Sequence, residues 1–178
     1  MSDTRDHLKS IATDQICAKN LAAASFREMG KEAGIKSSSV HYHFKSRDAL
    51  LLELIKDYQK DFFAMLDERA EEATGKQRLI VLCEVFTEFF TKDRQCMAQA
   101  YSSGSHELTP DSMTATRDFY EALYEWVLES LTTTRFLAVS RDALARVVVS
   151  AIQGALVADR VRDDAINLAS VQDWLSSL

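Results

Sequence analysis

An all-α fold of about nine helices is the architecture this sequence predicts, and three observations carry that expectation. Chain breakers are scarce, with one proline and five glycines in 178 residues. Apolar residues recur at steps of three and four along most of the chain, the spacing that gathers them on one helix face. No stretch of useful length alternates with a period of two, as a half-buried strand would. An apolar content of 47% excludes wholesale disorder. The length suits one generous core, or a small module fused to a larger one.

The elements follow in order from capping and periodicity. A first helix ends near Asn20, a residue tolerant of the left-handed conformation wanted at a helix end. Ser25 with Glu28 three residues on reads as a capping box, so a short helix starts there. Phe26, Met29 and Ala33 give it an apolar face, and Gly34 stops it. Gly30 costs roughly 1 kcal/mol against alanine in mid-helix, which implies close approach of a second helix that a Cβ would obstruct. Ile35 plugs the corner, Ser37 is placed to cap a new helix through Phe44, and Val40 is its apolar anchor. Ser46 caps a long helix carrying Leu51, Ile55, Tyr58, Phe62 and Met65 on one face. Gly75 separates it from a helix with Leu79, Leu82, Phe86 and Phe89 in phase, and Thr109-Pro110-Asp111 opens another bearing Tyr120, Leu123, Val127 and Leu131. Ser140 opens a helix around 141–160 with Leu144, Val148, Ala151 and Ala155, and Leu168, Val171, Leu175 and Leu178 mark the last.

Charge and cysteine usage narrow the function classes. Residues 27–47 hold five basic side chains against two acidic ones, whereas residues 48–178 hold 13 against 22. A locally basic segment on an acidic body, net −6 overall, can meet phosphate while the body avoids it. Cys17, Cys83 and Cys96 are odd in number and far apart, matching neither a disulfide framework nor zinc spacing. No apolar run approaches the roughly 20 residues that cross a bilayer, and the polar N-terminus lacks an apolar signal core, so the cytoplasm is expected. An enzyme is not expected, since no nucleophile elbow, phosphate-cradling loop or paired-carboxylate motif occurs, and no cofactor is implied. His41 and His43, two apart on a helix, point about 200° from each other and cannot share one metal. A helical adaptor for protein partners would keep such a fold but has no use for an exposed Ser/His/Tyr/Lys surface.

Two short helices joined by a glycine turn form the module that lays its second helix in the major groove of double-stranded DNA. Ser37, Ser38 and Ser39 stand at the N-terminal end of that helix, His41 and Tyr42 project from the next turn, and Lys36 and Lys45 flank it as phosphate partners. Ser25 and Arg27 open the supporting helix and complete the candidate DNA-binding set.

Residues 4–50 resemble the N-terminal domain of the tetracycline-repressor (TetR) family. The family pattern, approximately T-x-R-[DE]-I-A-x-x-A-G-[VI]-S-x-[GS]-[ST]-[LV]-Y-x-[HY]-F-x-[SN]-[KR]-[DE]-x-L, appears here with departures as Ser25 through Leu50, ending Phe44-Lys45-Ser46-Arg47-Asp48-Ala49-Leu50. Gly30 replaces the usual alanine, Asn20 the usual glycine, and His41-Tyr42 inverts the common Tyr-His order. The resemblance implies a DNA-binding domain over residues 1–46 and a ligand-binding and dimerisation domain over 47–178. It implies a repressor, released from a palindromic operator by a small-molecule effector. It also implies a homodimer paired through its last two long helices. Here that interface would draw on Leu144, Val148, Ala151, Ile152, Ala155, Val171, Trp174 and Leu175, a face wide enough to serve burial within the protomer as well. A sensor pocket among the central helices would be lined by Phe62, Phe86, Phe89, Phe90, Met97, Tyr101, Tyr120 and Tyr124, suiting an apolar or aromatic effector, though such a stripe also makes plain core. Cys96 is either a half-buried small hydrophobe or a sensor thiol, its pKa lowered by Lys92 and Arg94 and by a helix N-terminus.

Overall fold

The computed structural model describes residues 2–132 and 139–178, apart from the side chain of Ser2. Among these residues it contains nine α-helices and two 3-10 turns, in line with the all-helical expectation. The helices are α1 (Ser2–Ala18), α2 (Phe26–Glu32), α3 (Ser37–His43), α4 (Arg47–Arg69), α5 (Lys76–Thr91), α6 (Met97–Ser103), α7 (Pro110–Ser130), α8 (Arg141–Arg162) and α9 (Ile166–Ser177). The 3-10 turns are Leu21–Ala23 and Ser105–Glu107. No helix of the described residues is long and apolar enough to cross a membrane.

The chain divides into two compact units, Met1–Lys60 with Arg94–Asp118, and Asp61–Asp93 with Phe119–Leu178. In the first, Leu8, Ile16, Leu21, Met29, Val40, Leu50, Leu51 and Ile55 are fully buried. Tyr101 of α6 joins that core, its hydroxyl donating to the carbonyl of Leu51 at 2.7 Å. In the second unit, a cluster of phenyl rings fills the centre: Phe62 lies 5.6 Å from Phe86 and 5.3 Å from Phe119, centroid to centroid. Leu79, Leu82, Leu123, Val127, Leu144, Val148, Ile152, Leu168 and Leu175 of the same unit are all buried.

Most caps stand where the sequence places them. Ser25 Oγ accepts from Glu28 N at 3.2 Å, Ser46 Oγ from Ala49 N at 3.1 Å, and Ser140 Oγ from Ala143 N at 3.2 Å. Two differ. Asn20 is not left-handed but extended (φ −170°), and its side chain caps the Leu21–Ala23 turn by accepting from Ala23 N. The chain leaves α1 through that turn, whose first amides need an acceptor more than α1 needs a left-handed stop. Ser37 does not cap α3; it is the first helical residue, and Lys36 holds the cap position.

A buried carboxylate fixes the last helix. Asp159 of α8 is 1% exposed and accepts from the backbone amides of Asn167 (2.9 Å) and Leu168 (2.8 Å) and from Asn167 Nδ2 (2.7 Å). It satisfies amides that α9 cannot satisfy itself and sets a negative charge at that helix's positive end. Asp159→Ala should therefore destabilise the protein by roughly 2–4 kcal/mol in urea denaturation, with Asp159→Asn retaining part of the difference because it keeps one acceptor.

Candidate nucleic-acid interface

The corner between α2 and α3 is built on a missing side chain. A Cβ added to Gly30 would lie 2.9 Å from the Ile35 carbonyl oxygen and 3.2 Å from Ser37 N, both backbone atoms that cannot swing aside. The expected close approach is thus by the turn and the first residue of α3. Gly34 adopts φ +67°, and Ile35 N donates back to the Gly30 carbonyl at 2.9 Å, closing the turn. Val40 (0% exposed) pins α3 against the module, and Phe44 is buried one turn later. Gly30→Ala, despite its gain in helix propensity, should lower stability by about 1–3 kcal/mol. The check is thermal melting, supplemented by DNA binding of whatever fraction remains folded.

With Val40 and Phe44 inward, α3 has one register. Ser38, His41, Tyr42 and Lys45 are exposed, as are Lys36 and Arg27, while Ser25, Ser37 and Ser39 are half-buried. Tyr42 is 74% exposed. His41 packs its ring edgewise on Phe26, centroids 4.5 Å apart. Since it follows the anchor Val40, His41 occupies the tyrosine position of the pattern, and His43 its own. The departure is a histidine for a tyrosine, not an inverted pair. All nine expected DNA-binding residues therefore lie on the α2–α3 module or at its ends.

The module is held by ion pairs that use up other cations. Arg5 and Lys9 of α1 both bond to Glu53 of α4, Arg5 Nη1 at 2.6 Å and Lys9 Nζ at 3.0 Å, and Lys9 also pairs with Asp57. Hydrogen bonding from Arg5 holds the Glu53 carboxyl below the usual carboxylate range. The Arg5 guanidinium also lies over the Phe44 ring at 4.8 Å. The Arg47 side chain is half-buried and donates to the Leu21 carbonyl.

The residues expected to line one effector pocket are distributed over both units. Phe62, Phe86, Phe89 and Tyr120 share the ring cluster around Phe119. Phe90 lines a separate cavity of about 250 Å³ with Thr91, Asp93, Arg160 and Asp163. Tyr124 donates to Asp142, with the Arg146 guanidinium 4.4 Å from its ring. Cys96, Met97 and Tyr101 belong to the other unit, where all three are buried.

Cys96 does not have the environment of an activated thiol. Burial pushes its pKa up, and its sulfur accepts from the Tyr58 hydroxyl at 3.3 Å. Arg94, one of the cations expected to activate it, bonds instead to Asp14 at 2.6 Å. Burial likewise raises Cys17 to about 11 and Cys83 to about 12. The three cysteines are free and buried. Native protein at pH 8 should consequently react slowly with a disulfide-exchange reagent and expose all three thiols on unfolding; a fast-reacting thiol in the folded state would contradict this burial.

On α8 and α9 the expected pairing face is split. Leu144, Val148, Ile152, Ala155 and Leu175 are buried, each at 5% exposure or less. Ala151 and Val171 are half-buried and Trp174 is exposed. These three line an open groove of about 390 Å³ with Gly154, Ala155, Ala158, Asn167 and Ser170. Val147, Val157 and Val161, in helical phase beside it, are at least half exposed. This outward stripe was readable in the 3–4 spacing from Val147 through Gly154 to Val161, but the stronger Leu144–Val148–Ile152 stripe masks it.

A family model described as "Bacterial regulatory proteins, tetR family" matches residues 11–54, the segment that carries this corner. Over these residues, about a quarter of the chain, the sequence is similar to that family. The HTH-type transcriptional repressor KstR2 of Mycolicibacterium smegmatis is 30% identical over 71 residues, which is 40% of this chain and only 35% of that repressor's length. Among solved structures, a TetR-family transcriptional regulator of Agrobacterium tumefaciens superposes with a TM-score of 0.92 at 18% identity, over 99% of this chain and 98% of that one. A TetR transcriptional regulator of Legionella pneumophila gives 0.84 at 22% identity, over 99% and 97%. At these identities the likeness is one of fold, and it extends over the whole chain.

Proposed function

We propose that the protein is a DNA-binding transcriptional regulator, a cytoplasmic homodimeric repressor that leaves a palindromic operator when a small-molecule effector binds. The observation that carries this reading is the outward face of α3, where Ser38, His41, Tyr42 and Lys45 are exposed beside an otherwise tightly packed corner. In this reading residues 1–46 grip DNA and residues 47–178 sense and dimerise. Backbone amides and hydroxyls at the start of α3 face phosphate, with Lys36, Lys45 and Arg27 as charged partners, while His41 and Tyr42 address base edges. Two copies would set their α3 helices roughly 34–36 Å apart, one turn of duplex.

The second copy is assigned to the outer face of α8 and α9. Ala151, Gly154 and Ala158 leave room for a partner helix to approach closely, and Trp174 is the anchor. An apolar or aromatic effector is assigned to the second unit beside Phe62, Phe86 and Phe89. Effector binding would need about 5.5 kcal/mol of preference for the released state to swing the population from 1:99 to 99:1.

Fluorescence anisotropy on duplexes selected from a random pool tests the DNA reading. Lys45→Ala should weaken binding to all sequences and reduce the salt slope by about one per half-site. Tyr42→Ala should cost roughly tenfold at the selected operator and little on random duplex. Both variants should sediment as the wild-type oligomer. Absence of any salt-dependent duplex binding by the wild-type protein would defeat the reading.

A further inference from the structure

Arg47 is the last cation of the basic segment and lies next to the recognition helix, yet its guanidinium is occupied within the protein. Its Nη2 donates to the Leu21 carbonyl at 2.6 Å, and its Nε donates to the Ala24 carbonyl at 3.3 Å. The same Nη2 lies 3.1 Å from Glu107 Oε2, and the side chains of this pair are only 28% and 30% exposed. Leu21 and Ala24 bracket the 3-10 turn that delivers the chain to Ser25, the cap of α2. Glu107 ends the other 3-10 turn, and at the head of that turn a Cβ on Gly104 would meet Leu21 Cδ1 at 2.5 Å. Two independent contacts therefore press the Ser105–Glu107 turn onto the linker between α1 and α2.

We propose that Arg47 is a positioning residue of the helix-turn-helix rather than a phosphate contact, and that Glu107, outside the DNA-binding segment, holds it in that role. One planar guanidinium with a fixed fork of donors reaches two carbonyls and a carboxylate at once; a lysine ammonium cannot match that geometry. The pair fixes where α2 begins, and through the Gly30 corner the direction of α3. Its consequence for DNA rests on the regulator reading above, but the fastening itself is a property of the free protein.

Hydrogen exchange of the free full-length protein, wild type against Glu107→Gln, Arg47→Lys and Arg47→Met, tests the fastening. Peptides covering residues 20–26 should exchange faster in all three variants while those from α8 stay unchanged; unchanged exchange over 20–26 would overturn the proposal. Anisotropy with a selected operator then separates the two roles. A positioning Arg47 predicts about tenfold weaker specific binding in both Arg47→Lys and Glu107→Gln, with the salt slope of wild type. A phosphate-contacting Arg47 predicts the reverse: affinity kept by lysine, raised by removing the acid, and a slope about one smaller per half-site in Arg47→Met. Glu107→Gln, a near-isosteric change, keeps the test decisive should Arg47→Met fail to fold. If the wild type binds no duplex, the regulator reading fails while the exchange measurement still decides the fastening.

Discussion

Contact between the backbone of α2 and the backbone of the α2–α3 turn, made possible by the hydrogen in place of a side chain at Gly30, is the constraint on which the DNA-facing surface depends. The Ile35 carbonyl would sit 2.9 Å from a Cβ there, closer than real Cβ atoms approach a backbone atom. Glycine in mid-helix costs roughly 1 kcal/mol of helix propensity. The cost is offset because the turn can close on α2, with Ile35 N bonded to the Gly30 carbonyl and Val40 carried into the core. Once Val40 and Phe44 are inward, the outward direction of Ser38, His41 and Tyr42 is not a separate choice. It follows from helical geometry.

Electrostatics in this module are divided between holding and presenting. Arg5, Lys9 and Arg47 spend their charge on Glu53, Asp57, Glu107 and two backbone carbonyls. Arg27, Lys36 and Lys45 stay exposed at the helix-turn-helix. Of the five basic residues in 27–47, Arg47 alone is taken up in this way, and Lys31 is exposed as well. Under the proposed function discrimination among sequences rests on the face of α3 that carries Ser38, His41 and Tyr42, because attraction to phosphate is sequence-blind.

The parts of this structure that were legible in the sequence are those decided within a few residues. Caps at Ser25, Ser46 and Ser140, the glycine turn at Gly34, and the anchor Val40 each depend on local geometry, and each stands where expected. Asn20 departs from the expectation because the competing demand comes from the turn after it, not from the helix before it. The sensor-thiol expectation for Cys96 fails because its sequence neighbours, Lys92 and Arg94, say nothing about burial. Arg94 reaches across 80 residues to Asp14 instead. On α8 two apolar stripes coexist, and periodicity ranks them by strength without saying which one the protein keeps inside. The buried one is Leu144–Val148–Ile152, and the exposed one runs from Val147 to Val161.

That exposed stripe has a structural consequence that the single helix does not suggest. α9 begins on Asp159, a side chain of α8 buried at the junction and bonded to the amides of Asn167 and Leu168. Leu168 and Leu175 then seat α9 against the core, each at 1% exposure or less. The groove formed by Ala151, Gly154 and Ala158 on one side and Ser170, Val171 and Trp174 on the other is thus walled by two helices joined at a buried, charge-assisted cap. A partner helix entering such a groove has little wall motion to arrest, so little of its contact energy is lost to ordering. Small residues on α8 set how near it can come, and Trp174 supplies apolar area with two rotatable bonds to fix. For the proposed homodimer, the capping carboxylate matters as much as the exposed valines, because it keeps both walls of the docking groove in register before the second copy arrives.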